Sequence, residues 1–242
     1  MPDQAAPATP DDPHAALRTR WTEALEAART TPAGAAAPDP TPYADNLIAR
    51  YQEPQRRYHT LTHLTAVLDH IDVLERALAR AGTPAPTAAP APHPLPDLAL
   101  VRLAAWFHDA VYAPDRSENE ERSARLAERA LTEAGVSPAG TAEVARLVRL
   151  TVTHAPEPDD LGGQVLCDAD LAILAAPPET YAAYTAAVRE EYAFVPEDAF
   201  RAGRAAVLRQ LLDLPQLFRT PYGSRHWEEP ARANISAELE RL

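Results

Sequence analysis

Metal-capable side chains occur in this chain in a restricted order. The stretch RRYHTLTHL carries His59 and His63, an apolar segment closes on the adjacent pair His108-Asp109, and VLCDADLAIL downstream carries Asp168 and Asp170. Two neutral imidazoles and two carboxylates give a divalent cation a mixed nitrogen and oxygen site of zero net charge, with positions left open for water and an oxygen of a bound molecule. Water on such an ion loses a proton more readily, while the ion polarises an oxygen bound beside it. The spacings constrain how these residues can meet. His59 and His63 share one side of a helix if the helix has begun by His59. His108 and Asp109 point about 100° apart on a regular helix and reach one ion only near a helix end or distortion. Asp168 and Asp170 diverge by roughly 200°, so one alone can face the ion. A buried ion pair or a capped helix end is the structural alternative for His108-Asp109, because an unpaired carboxylate inside AAWFHDAVY would be strongly disfavoured.

The elements that must position these groups are helical. Strand signals are absent, and apolar residues recur at three and four spacing in segments rich in alanine, leucine, arginine and glutamate. Leu17, Trp21, Leu25 and Ala28 make one stripe over 15–30, and Pro42 starts a short helix with Leu47, Ile48 and Tyr51. A third helix over about 60–81 carries Leu64, Leu68, Ile71, Leu74 and Leu78 and stops at Gly82. The most apolar segment, Asp97 to about Tyr112, reads as the central helix. Further helices are expected over 117–135, opened by a capping box from Ser117 to Glu120, from Ser137-Pro138 to His154, and over 164–175, 178–194, 196–213 and 228–242. His63 lies beside Leu64, Val67 and Leu68, which turns its side of the helix inward. The prolines, 25 in all, cluster in connectors, with residues 1–14 reading as a disordered tail and 83–96 as a mobile Ala/Pro-rich excursion. The expectation is a single all-α, multi-helix bundle over 15–242.

Composition removes several classes of function. At 242 residues and 46 % hydrophobic, the chain can bury a sizeable core. All 23 basic residues are arginine, so no mechanism built on a catalytic lysine is open to it. A net charge of -12 argues against binding a nucleic acid polymer or an anionic membrane. Cys167 is alone, which leaves no disulfide framework. With no signal-peptide pattern at the N-terminus and no long uncharged apolar run, a cytoplasmic location is expected.

The order H, then HD, then D along a helical chain resembles the HD superfamily of metal-dependent phosphohydrolases. The strings YHTLTH, WFHDAVY, NEERSA, DADLAIL, VREEY and ARAN are similar to its predicted-phosphohydrolase branch, over roughly residues 15–242. The resemblance implies an HD-type bundle in which His63, His108, Asp109 and Asp170 bind a divalent metal ion (Mn, Mg, Co, Ni, Fe or Zn) and act on a nucleotide or other small phosphate ester. It favours Asp170 because a leucine follows, although that leucine adjoins the aspartate where the family pattern leaves one residue between. Asp168 remains the alternative ligand, or a group orienting a histidine from behind. YHTLTH is also similar to the start of the cyclic-nucleotide phosphodiesterase signature, without the aspartate that follows there, and this implies His59 as general acid. Glu120 is implied as a polar residue facing the ion, with the capping box as its other explanation. His154 could contact phosphate or a second metal, or be a helix-end histidine. Arg57, Arg189 and Arg204, with Arg56 and Arg232, are of the type suited to bidentate phosphate recognition, though arginine is also the default solvated base here. Two rival readings use the same scaffold: a sensor that binds nucleotide or metal without turnover, and a di-iron oxygen-activating centre needing further ligands such as His154 and Glu120. The oligomeric state is left open.

Overall fold

In a computed structural model, which describes residues 12–29, 36–81 and 97–242, those helix-forming segments fold as an all-α, multi-helix bundle. Eleven helices are present and no strand occurs among the described residues, where a lone bridge pairs Arg29 with Val136. In chain order they are α1 Ala15–Ala28, α2 Thr41–Tyr51, α3 Leu61–Ala81, α4 Leu98–Phe107, α5 Asn119–Glu133 and α6 Pro138–Leu150. Then come α7 Leu161–Leu171, running into a 3-10 turn at Ala172–Ala175, α8 Pro178–Glu191, α9 Glu197–Asp213, α10 Pro221–His226 and α11 Glu228–Leu239. The excursion at 83–96, the stop at Gly82 and residues 1–11 of the tail lie outside the described residues. At the entry to α1, Asp12 accepts the His14 N–H at 3.0 Å and pairs with Arg18.

The core is centred on α4, whose Val101 and Leu103, Ala104, Ala105, Trp106 and Phe107 are all buried. Trp21 of α1 packs edge-on against Trp106 and Phe107, with ring centroids 5.5 and 5.9 Å away. Each such side chain contributes roughly 1.5–3 kcal/mol by leaving water. A second cluster joins Leu174, Tyr181, Leu208, Phe218, Ala231 and Ile235.

Several boundaries differ from expectation for local reasons. α4 stops at Phe107, five residues before Tyr112. Its terminal carbonyls are met in part by a side chain: the Tyr51 hydroxyl donates to the Trp106 carbonyl at 3.2 Å; in the turn that follows, Arg56 donates to the Ala110 carbonyl at 3.4 Å. The capping box does not form. Glu118 is the N-cap of α5 without a side-chain bond, while the Asn119 amide ties down the preceding turn through Ala113. α6 ends at Leu150, short of His154. The six-residue α10 was not anticipated, being too short to show a period; Thr220 caps it by accepting the Gly223 N–H at 3.0 Å. Among the described residues no helix is long and apolar enough to cross a membrane.

Candidate metal centre

α3, the end of α4 and α7 each bring one side chain to a common point. His63, one turn into α3, is buried beside Leu64, Val67 and Leu68, as its place in the apolar stripe requires. His108 caps α4, and Asp109 follows in the turn, so the two escape the divergence of a regular helix. Asp170 lies in the last turn of α7. The Nε2 atoms of His63 and His108 are 3.2 Å apart. Asp170 Oδ1 lies 3.2 Å from the first and 3.5 Å from the second, and Asp109 Oδ2 lies 3.4 and 3.1 Å from them. His63, His108 and Asp170 offer donor atoms all within 4.8 Å of one another. Asp109 also lies against both imidazoles, outside that three-residue set.

These residues fit a cation. His108 Nδ1 lies 2.7 Å from the Ala105 carbonyl oxygen and can only donate to it, which leaves Nε2 as a lone pair in the neutral ring. That lone pair faces the other buried imidazole, an arrangement that calls for a shared proton or a metal ion. The buried His63, His108 and half-buried Asp170 group could hold such an ion. Burial works to lower the pKa values of both histidines, but the neighbouring carboxylates outweigh it and raise them, His108 most. Burial works to raise Asp109 and Asp170, yet the charge on His108 holds both well below the usual carboxylate range. Protons and a cation therefore compete for the same nitrogens.

The other expected residues divide. His154 reaches the cluster: its Nε2 is 2.8 Å from Asp170 Oδ2, from a backbone with φ of 49° that non-glycine residues rarely adopt. His59 stands just ahead of α3, not on it, with its ring 5.7 Å from that of His63. Its Nδ1 lies 2.7 Å from Glu191 Oε2, and its face stacks on Tyr112 at 4.3 Å. Asp168, by contrast, faces away. It is fully buried, accepting the N–H groups of Arg219 and Thr220 at 2.8 Å and the Thr220 hydroxyl at 2.7 Å. It thus anchors the chain ahead of α10 and orients no histidine. Burial pushes its pKa up to about 6 against those three donors. A Cβ on Gly223 would stand 2.5 Å from Asp168 Oδ2, which is why that position lacks a side chain. Glu120, half-buried on α5, makes no hydrogen bond or ion pair with the cluster among the described residues.

The arginines are engaged elsewhere. Arg57 donates to the carbonyls of Pro54 and Arg56, and Arg189 to those of Tyr192 and Val195 while pairing with Glu197. Arg56 is a buried strut, donating to the His59 carbonyl at 2.9 Å. Arg204 alone among them lines the cavity beside the cluster, and it is paired with Glu238 at 2.7 and 3.1 Å.

Sequence reasoning missed Glu191. Its Oε1 accepts the N–H groups of Arg57, Tyr58 and His59, and its Oε2 accepts from Tyr112 at 2.8 Å. Burial works to raise its pKa, but His59 and these donors hold it at about 2. The signal was present: Glu191 continues the stripe Tyr181, Tyr184, Val188 of α8, an acid in an apolar register. Compared with family models, with curated proteins and with solved structures, the chain matches none.

Proposed function

We propose that the chain is a metal-dependent phosphohydrolase that cleaves a small phosphate ester with water. The observation that carries this reading is the pair of buried imidazole nitrogens, 3.2 Å apart and flanked by two carboxylates, beside a cavity of about 590 Å³ lined by Asp170, His154 and His59. In this reading His63, His108, Asp109 and Asp170 hold one divalent ion, which when bound would polarise the phosphoryl group and make water more acidic. His154, 2.8 Å from Asp170, would contact a phosphoryl oxygen. His59, which lines the cavity, serves as general acid towards the leaving oxygen, with Glu191 fixing its ring through Nδ1. A di-iron centre would need more donors, and of the two candidates only His154 touches the cluster.

The test is a panel of phosphate monoesters and nucleotides offered to purified protein with Mn, Mg, Co or Ni. Phosphate release that disappears together with bound metal in His108→Ala is the expected result. Tight ligand binding with no release by any metal form would instead make the chain a sensor.

A further inference from the structure

The cavity beside the cluster differs in character from the cluster itself. Apart from the cluster's neighbours, some tyrosines and Arg204, its walls are aliphatic or aromatic, among them Ile173, Val188, Phe200, Val207 and Leu211. Arg204 is its only guanidinium, and that charge is held bidentately by Glu238 and donates to the Tyr184 hydroxyl at 3.1 Å. The chain has no lysine. A string of phosphates entering this space would leave charges desolvated against aliphatic walls without a partner, which is strongly unfavourable. An apolar group would meet the surface it prefers, in a volume typical of sites for ligands of drug size.

Gly203 sharpens the point. It lies inside α9 and lines the cavity. A glycine in a helix interior is destabilising relative to alanine, and the usual excuse of a close approach is missing: a Cβ there would meet nothing within 4 Å. What its bareness does is keep the cavity wide. Ala199 and Val207 stand one turn away on either side in the same wall, and Val207 is 49 % exposed, an apolar rim open to solvent.

We propose that the ligand is a phosphate monoester whose alcohol part is an uncharged apolar chain or ring seated along α9, with Gly203 setting the room available, and not a nucleoside di- or triphosphate. The chemistry at the phosphate rests on the phosphohydrolase reading; the choice of ligand rests on the cavity alone.

Binding separates the two. Calorimetry on the full chain loaded with Mn would compare n-octylphosphonate, ethylphosphonate and a non-hydrolysable ATP analogue. Each buried methylene is worth roughly fourfold, so the octyl compound should bind at least about a hundredfold tighter than the ethyl and at least about tenfold tighter than the ATP analogue. In Gly203→Phe the octyl preference should shrink to within about threefold while ethylphosphonate is held as before. Val207→Asp, a change at the exposed rim that leaves the core alone, should weaken octylphosphonate in the same direction. Equal binding of the two chain lengths, tighter binding of the ATP analogue, or an undiminished octyl preference in both folded variants overturns the proposal. If n-octyl phosphate is not hydrolysed although the phosphonates bind as stated, the phosphohydrolase reading falls and this one stands. Hydrolysis with no preference for chain length has the reverse meaning.

Discussion

His63 and His108 stand among fully buried neighbours, Leu64 and Leu68 on α3 and Ala104 to Phe107 on α4, whereas α9, which lines the cavity, buries only Ala205 and Leu208 in its 17 residues. The first region is part of the core: His63 and His108 are both buried on helices whose apolar faces are buried with them, and close-packed interiors resist displacement. The second has few buried contacts and belongs to the less stable end of the molecule. In the proposed function, chemistry that depends on placing donor atoms within tenths of an ångström would be carried by the buried wall. Fit to a ligand is left to a wall whose residues can change without disturbing the donors.

The sharpest way to break this comparison is to exchange the two aspartates of DADL. Asp170→Asn should lower Mn affinity by more than about a hundredfold, beyond the 10- to 100-fold that outer partners of a metal ligand are worth. Asp168→Asn should leave that affinity within about twofold but cost roughly 1–3 kcal/mol of stability, because one of its buried donors loses its acceptor. Titration calorimetry and urea melts read the two, and the opposite pattern would show the wrong carboxylate has been placed at the ion.

A smaller effect is expected at Glu191, which ties α8 of the cavity side to the His59 turn of the rigid side. Glu191→Gln should reduce kcat by about 10- to 100-fold, part of the 10²–10⁴ typical of a general acid, with Mn affinity unchanged. The same residue sets an acid limit. Its carboxyl is held at about 2, below the usual 4.5, so the folded state prefers it ionised. Stability is then fully present above about 4.5 and is lost as pH falls towards 2, by roughly 3 kcal/mol at most. Glu191→Gln should be less stable near neutrality and lack that part of the acid slope. The smallest effect belongs to the open wall: Gly203→Ala should raise stability by about 0.5–1 kcal/mol, visible as a higher Tm.

Much of the rigid wall was legible in the sequence, because its constraints are local. The stripe Leu64, Val67, Leu68 turns His63 inward, and the divergence of neighbours on a helix demands an end near His108-Asp109, where α4 does end. Ser137-Pro138 marks the start of a helix in the sequence, and α6 does begin at Pro138, with Ser137 accepting the Gly140 N–H at 3.1 Å. Asp168 and Asp170 could be seen to oppose each other, but which one meets the histidines depends on how α7 lies against α3 and on where Thr220 falls, 52 residues from Asp168. Glu191 escaped for the same reason: its partners His59 and Tyr112 are 132 and 79 residues away. Arg57, Arg189 and Arg204 showed their charge in the sequence but not their partners, and in the fold each is already held by a carbonyl or a carboxylate.

The central claim of the proposal is that one cation is held by His63, His108 and Asp170, with Asp109 as the fourth ligand. Anomalous diffraction at the Mn edge from crystals grown with Mn tests it most directly. The account predicts a single strong peak in the buried cluster, at about 2.0–2.4 Å from both Nε2 atoms and from Asp170 Oδ1, as mixed nitrogen and oxygen sites hold such ions. A peak elsewhere in the molecule, with the two Nε2 atoms still 3.2 Å apart and no density between them, would contradict it.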